Sequence, residues 1–185
     1  YWIYISVHVF GNAALWIALL LMVALALLQA TLVSICGWLI SRLTQGEPWL
    51  LLFTGSASWV IVEWMRGWVL TGFPWMAFGY GQIDTAFAGW APVIGVYGVS
   101  FMVVLSATGV IATVMAATAR GRIIGIASIL VPWLLGGLLT FVDWTKPSGE
   151  PVRASIIQAG VSQDKKWDRD QLLPIMEYYL SSTLS

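Results

Sequence analysis

Four apolar runs separated by short polar breaks set the plan of this chain. Residues 13–40 carry no charge at all, and the run exceeds the roughly 20 residues that a bilayer core requires of a helix, so it predicts a tilted transmembrane span. Arg42 and the polar turn at Gln45, Gly46 and Glu47 close it, and Pro48 is well placed to open a second span over residues 48–68. Gly55, Ser56, Ala57 and Ser58 supply small residues there, where another helix can approach closely. A third span over residues 92–118 repeats the small-residue pattern with Gly95, Gly98 and Gly109 beside Ser100, Ser106 and Ala107. Arg120 and Arg122 precede a fourth span, 123–142, in which Pro132, Gly136 and Gly137 predict a kink. Residues 1–12 mix aromatics with His8 and Gly11 and read as an interfacial entry.

Composition agrees with lipid as the solvent. With 59% hydrophobic and 10% charged residues and a mean hydropathy of +0.83, too little polar surface exists to cover a water-soluble domain. The formal net charge is zero, so no bulk basic surface argues for nucleic acid. Charges are sparse before Asp143 and dense from there to Glu177, which divides a lipid-embedded part, residues 1–144, from a water-facing part. The lone Cys36 excludes an internal disulfide, and in an uncharged run it behaves as a small hydrophobe, not a nucleophile. His8 has no His, Cys or carboxylate at ligand spacing, so it predicts no metal site. The chain starts at Tyr1 without a methionine and stops at Ser185 within a helical pattern, which reads as a piece cut from a longer protein at both ends.

One stretch breaks the apolar pattern. Residues 63–82, EWMRGWVLTGFPWMAFGYGQ, place Glu63 and Arg66 at a span's end and follow them with aromatics and glycines around Pro74. An unpaired charge costs up to about 3 kcal/mol at mid-bilayer and less near the interface, so pairing or function must offset it. Two readings stand side by side. In one, Glu63 and Arg66, three apart, neutralise each other while Trp64, Trp68 and Trp75 form a belt at headgroup level. In the other, the stretch meets a substrate. Residues 69–91 are too rich in Gly and Pro for a regular helix and too apolar for water, which predicts a loop lying on the membrane or dipping into it, its backbone groups satisfied against the helices. Loops of that length are usually functional.

Orientation follows from the basic residues. Arg42 lies in one short loop, Arg120 and Arg122 in another, and two spans separate them, so both loops share a side, the cytoplasm by the positive-inside rule. The aromatic loop and the chain beyond Asp143 then share the outer side. There, residues 145–151 with Pro147, Ser148 and Gly149 read as a linker. Residues 152–161, with Val152, Ile156, Ile157 and Val161, predict a strand. Leu172, Ile175, Met176, Tyr179 and Leu180 recur at helical spacing behind Asp168 as a cap, although Pro174 fits poorly in a helix that begins at Arg169. The fold class expected is an all-α polytopic membrane domain followed by the first strand and helix of an α/β sandwich.

Four separated stretches carry a family resemblance: YISVHVFG at residues 4–11, RGWVLTGFPW with GYGQ at 66–82, AGWAPVIGVYGVS at 88–100 and VRASIIQAGVSQDKKWD at 152–168. Together they resemble the apolipoprotein N-acyltransferase family, whose members carry a nitrilase-like (carbon-nitrogen hydrolase) domain after their membrane helices. The resemblance implies residence in the bacterial inner membrane with a periplasmic soluble domain, and transfer of an acyl chain from a phospholipid donor to a diacylglyceryl apolipoprotein through a cysteine thioester. It implies no cofactor and no metal. The family's catalytic glutamate, lysine and cysteine lie beyond the matching stretch, so no catalytic residue is expected here. The substrate-binding candidates are Arg66, a guanidinium that can fork onto phosphate oxygens, with Trp75 and Tyr80 of the aromatic loop and Trp167 of KKWD, whose alternative is packing of the first soluble helix. Gln158 matches a strand-end position of structural character. A membrane anchor for another periplasmic enzyme of the nitrilase superfamily would open in the same way. A transporter would be expected to show repeated broken helices, and no internal repeat is present.

Overall fold

The computed structural model describes residues 1–45, 47–162, 165–166 and 168–184. A one-turn helix α1 (Trp2–Tyr4) runs into a π-helical turn at Ile5–Phe10. The long helices follow as α2 (Leu15–Thr44), α3 (Pro48–Arg66), α4 (Ala91–Met115) and α5 (Ala119–Leu139), and α6 (Leu172–Leu184) closes the described chain. Among the described residues three helices are long and apolar enough to cross a membrane: α2, α4 together with the turn before it (Ala86–Met115), and α5. The expected second span folds as α3, whose 19 residues reach about 28 Å. It falls outside those three because its sequence spends positions on Thr54, Ser56, Ser58, Glu63 and Arg66. Of these, Ser56, Ser58 and Glu63 are buried within the protein.

The chain divides into two compact units, Tyr1–Ala26 with Pro147–Ser185, and Leu27–Lys146. In the first, the strand expected over residues 152–161 does not form: the described part of the segment has no regular structure. A strand satisfies its amides and carbonyls only beside another strand, and no other strand occurs among the described residues. The helix that follows also starts later than expected. Asp168 accepts from the Asp170 amide at 3.2 Å and caps a 3-10 turn, Arg169–Gln171, and α6 begins at Leu172. Pro174 therefore falls in the first turn, where the missing N–H costs nothing.

The second unit is assembled on small residues. α2 and α3 share an apolar cluster of Leu32, Cys36 and Val62, with Trp59 packed on it, and a Thr44–Thr54 hydroxyl contact of 2.9 Å. A Cβ on Gly55 would stand 2.8 Å from Cγ2 of Thr108, and one on Gly109 would stand 2.9 Å from the Gly125 carbonyl. Glycine is thus what lets α3 meet α4, and α4 meet α5, with backbones close enough for dispersion and polar contacts to hold them in a medium without a hydrophobic drive. The other glycines of the third span act differently. Gly95 breaks α4 with φ +67, a conformation glycine adopts freely and L side chains rarely.

Pro132 is accommodated inside α5. Its ring removes the N–H that would serve the carbonyl of Ser128 four residues back, and the Ser106 hydroxyl of α4 reaches that carbonyl at 3.5 Å while also bonding Met102 at 3.1 Å. The Pro132 carbonyl in turn accepts from the Trp90 indole at 2.9 Å. The segment before α4 is thereby tied to α5.

Candidate functional site

Residues 69–90 are neither helix nor open loop. They form three short 3-10 turns, Val69–Thr71, Phe78–Gln82 and Ala86–Trp90, of which the second and third dock on the long helices of their unit. The turn at Phe78–Gln82 begins with backbone donors that no carbonyl within the turn can serve. Two long helices serve them instead. Oε1 of Glu63 on α3 accepts the Phe78 amide at 2.8 Å, and Oγ of Ser100 on α4 accepts the Gly79 amide at 2.9 Å. Both acceptors are buried, Glu63 only 3% exposed and Ser100 not at all. The Phe78 ring stacks on Trp59 at 4.5 Å and 20°, and the Trp59 indole donates to the same Glu63 oxygen at 2.9 Å. Gly79 has to be glycine for this docking, since a Cβ there would come within 2.3 Å of the Val96 carbonyl just past the Gly95 break.

The third turn docks on α5. Thr85 caps it through the Phe87 amide at 3.2 Å, the buried Phe87 ring meets Trp133 at 4.7 Å, and Gly89 lies against Gly136, where a Cβ would fall 2.0 Å from a carbonyl oxygen. The loop's tip is left uncovered: Trp75 is 64% exposed and Tyr80 60%.

Glu63 and Arg66 do not neutralise each other. Oε2 of Glu63 and Nε and Nη2 of Arg66 are buried, with no hydrogen-bond partner among the described residues. Nε–H and Nη2–H leave the guanidinium from one edge, the edge that forks onto two oxygens of a phosphate or carboxylate. The Arg66 carbonyl is used locally, accepting the Phe73 amide at 2.7 Å, which folds the loop back over the end of α3. The Tyr97 hydroxyl lies near Gly67, the next residue, 3.1 Å from where a Cβ would stand.

This arrangement coincides with a family signature. Residues 1–109, which contain Glu63, Arg66 and the whole docked loop, match the family model described as apolipoprotein N-acyltransferase N-terminal domain. The chain belongs to that family. Among curated relatives it is 34% identical to the apolipoprotein N-acyltransferase of Coxiella burnetii, over 98% of this chain and 38% of the relative. It is 35% identical to that of Nitrosomonas europaea over 96% and 35%, and 37% identical to that of Azotobacter vinelandii over 99% and 36%. The chain thus spans little more than a third of the length of these relatives.

Of the residues singled out in the sequence, Arg66, Trp75 and Tyr80 belong to the docked unit of this family domain. Among the described contacts none joins the Arg66 guanidinium to either aromatic; Trp75 instead meets Phe73 at 5.2 Å. Trp167 lies outside the described residues. Gln158 is exposed and borders a hollow with Lys166, Leu172 and Tyr179. Sequence reasoning missed Ser100 as the cap of Gly79, Trp90 as the tie to α5, and Gly89 with Gly136 as a contact of backbones. The only signal for the last pair was the glycines themselves, at positions that a lipid-facing surface does not require.

Proposed function

We propose that this chain supplies part of the membrane platform of an apolipoprotein N-acyltransferase, the enzyme that moves an acyl chain from phospholipid to the α-amino group of a lipoprotein's diacylglyceryl cysteine. In this reading residues 1–144 form the membrane domain with α3 as a fourth span, 145–151 the linker, and 152–185 the opening of a nitrilase-like domain in the periplasm. The strand of that domain forms when its neighbouring strands are present. The protein resides in the bacterial inner membrane. Its platform binds the donor lipid and leaves the chemistry to a cysteine, glutamate and lysine of the nitrilase-like domain.

The observation that carries this reading is the unclaimed fork of Arg66 beside an exposed aromatic loop. A phosphate diester offers two oxygens to such an edge. The rings of Trp75 and Tyr80 are amphipathic and suit the headgroup level, where one end of a side chain is wet and the other is in hydrocarbon. Membrane lipids cover the apolar helix faces.

The test is transfer itself. The full-length protein, reconstituted with a phospholipid labelled in its acyl chains and a synthetic diacylglyceryl lipopeptide, is expected to place label in an amide at the peptide's N-terminus. The label should pass through an enzyme thioester that hydroxylamine releases. Label that stays in phospholipid while the protein remains folded would overturn the proposal.

A further inference from the structure

A carboxylate buried between membrane helices is costly to keep, and here it has no counter-ion among the described residues. Glu63 Oε1 nevertheless collects two donors, the Trp59 indole from its own helix and the Phe78 amide from the loop. Both bonds lie in surroundings of low dielectric, where a hydrogen bond is stronger than in water and its loss costs more. The same oxygen thus sets the Trp59 ring on which Phe78 stacks and the first amide of the turn that carries Tyr80. Phe78 lies three residues after Trp75 and two before Tyr80, so fixing it fixes both exposed rings.

We propose that Glu63 is the positioning residue of this loop: its Oε1 pins the Phe78 amide to α3 and thereby holds Trp75 and Tyr80 where a phospholipid is engaged. The role in lipid engagement rests on the acyltransferase reading; the pinning does not. Ser100 acts as the second, neutral pin on the adjacent Gly79 amide. Glu63 touches no reacting atom, and its effect passes through the loop.

The test pairs a structural readout with a kinetic one in the full-length protein in lipid nanodiscs. Glu63→Ala is expected to speed hydrogen–deuterium exchange in the peptide containing Phe78–Gln82 by about tenfold or more, the loss of two buried hydrogen bonds to one oxygen, while peptides from α5 keep their protection. The apparent KM for phospholipid should rise by a similar factor with kcat at saturating lipid little changed. Glu63→Gln, which retains a carbonyl acceptor, should restore most of both values. Ser100→Ala should loosen the same peptide less. Unchanged exchange at Phe78–Gln82 in Glu63→Ala would overturn the pinning, and faster exchange with an unchanged phospholipid KM would overturn the positioning role. If Glu63→Ala fails to fold, Glu63→Met, of similar length but without the acceptor, decides: it should quicken exchange in that peptide alone, and no local change sinks the proposal. Exchange is measured without turnover, so it tests the pinning even in a protein that transfers no acyl chain.

Discussion

Gly89→Ala is expected to destabilise the protein strongly through one added methyl group. The new Cβ would lie 2.0 Å from the Gly136 carbonyl oxygen and 3.0 Å from the Thr140 amide nitrogen. Every near atom is backbone, so no side chain can rotate away, and either the turn or α5 has to move. Overpacking of this kind costs about 3 kcal/mol. Moving the turn also stretches the Trp90 indole bond to Pro132 and the Phe87 packing on Trp133, so three contacts weaken together. The expected measurement is a drop of several degrees in the apparent unfolding midpoint in detergent, with increased proteolysis within residues 83–90. Gly81→Ala is the matched control, since a Cβ there meets nothing within 4 Å, and it should leave the midpoint unchanged. A Gly89→Ala protein as stable as the control would show that the docking on α5 is not tight.

The second large effect is expected at Arg66. Removing a guanidinium whose side-on edge has no partner among the described residues leaves few internal bonds to lose, so Arg66→Ala should fold. Its cost should fall on phospholipid use: an apparent KM raised about tenfold or more, the scale of a charged hydrogen-bonded pair in a site shielded from water. Arg66→Lys keeps the charge without the planar fork and should recover only part of the loss. Kinetics equal to wild type in Arg66→Ala would remove Arg66 from the lipid site and leave its burial as a structural matter.

Much of the membrane unit is legible in the sequence because hydrophobic length is a strong signal. Runs without charge, closed by arginine or by a proline-containing turn, mark α2, α4 and α5 to within a few residues. What the sequence conceals is tertiary. Glu63 and Arg66 at helical spacing read naturally as a neutralising pair, but Glu63 is claimed by donors from Trp59 and from the loop, 15 residues ahead, and no local periodicity encodes that. Pro132 announces its lost hydrogen bond in the sequence, but nothing in the sequence announces that α4 breaks at Gly95 through a positive φ. The aromatic loop stands out by composition, but its 3-10 turns do not, since short turns such as Phe78–Gln82 and Ala86–Trp90 depend on their docking on the helices. At the other end, Val152 to Val161 has the composition of a strand, and a strand without a neighbour has nothing to bond.

The central proposal is that the aromatic loop faces the same side of the membrane as the chain beyond Asp143. The basic residues Arg42, Arg120 and Arg122 imply this arrangement. The direct measurement is labelling by a membrane-impermeant maleimide in intact spheroplasts, with Cys36 and every cysteine of the full-length protein beyond this chain replaced by serine and single cysteines at the exposed positions Gln45, Asp84 and Ser148. Asp84→Cys and Ser148→Cys are expected to react in intact cells, and Gln45→Cys only after permeabilisation. Labelling of Asp84→Cys and Ser148→Cys from opposite sides, or of both only after permeabilisation, would contradict the claim.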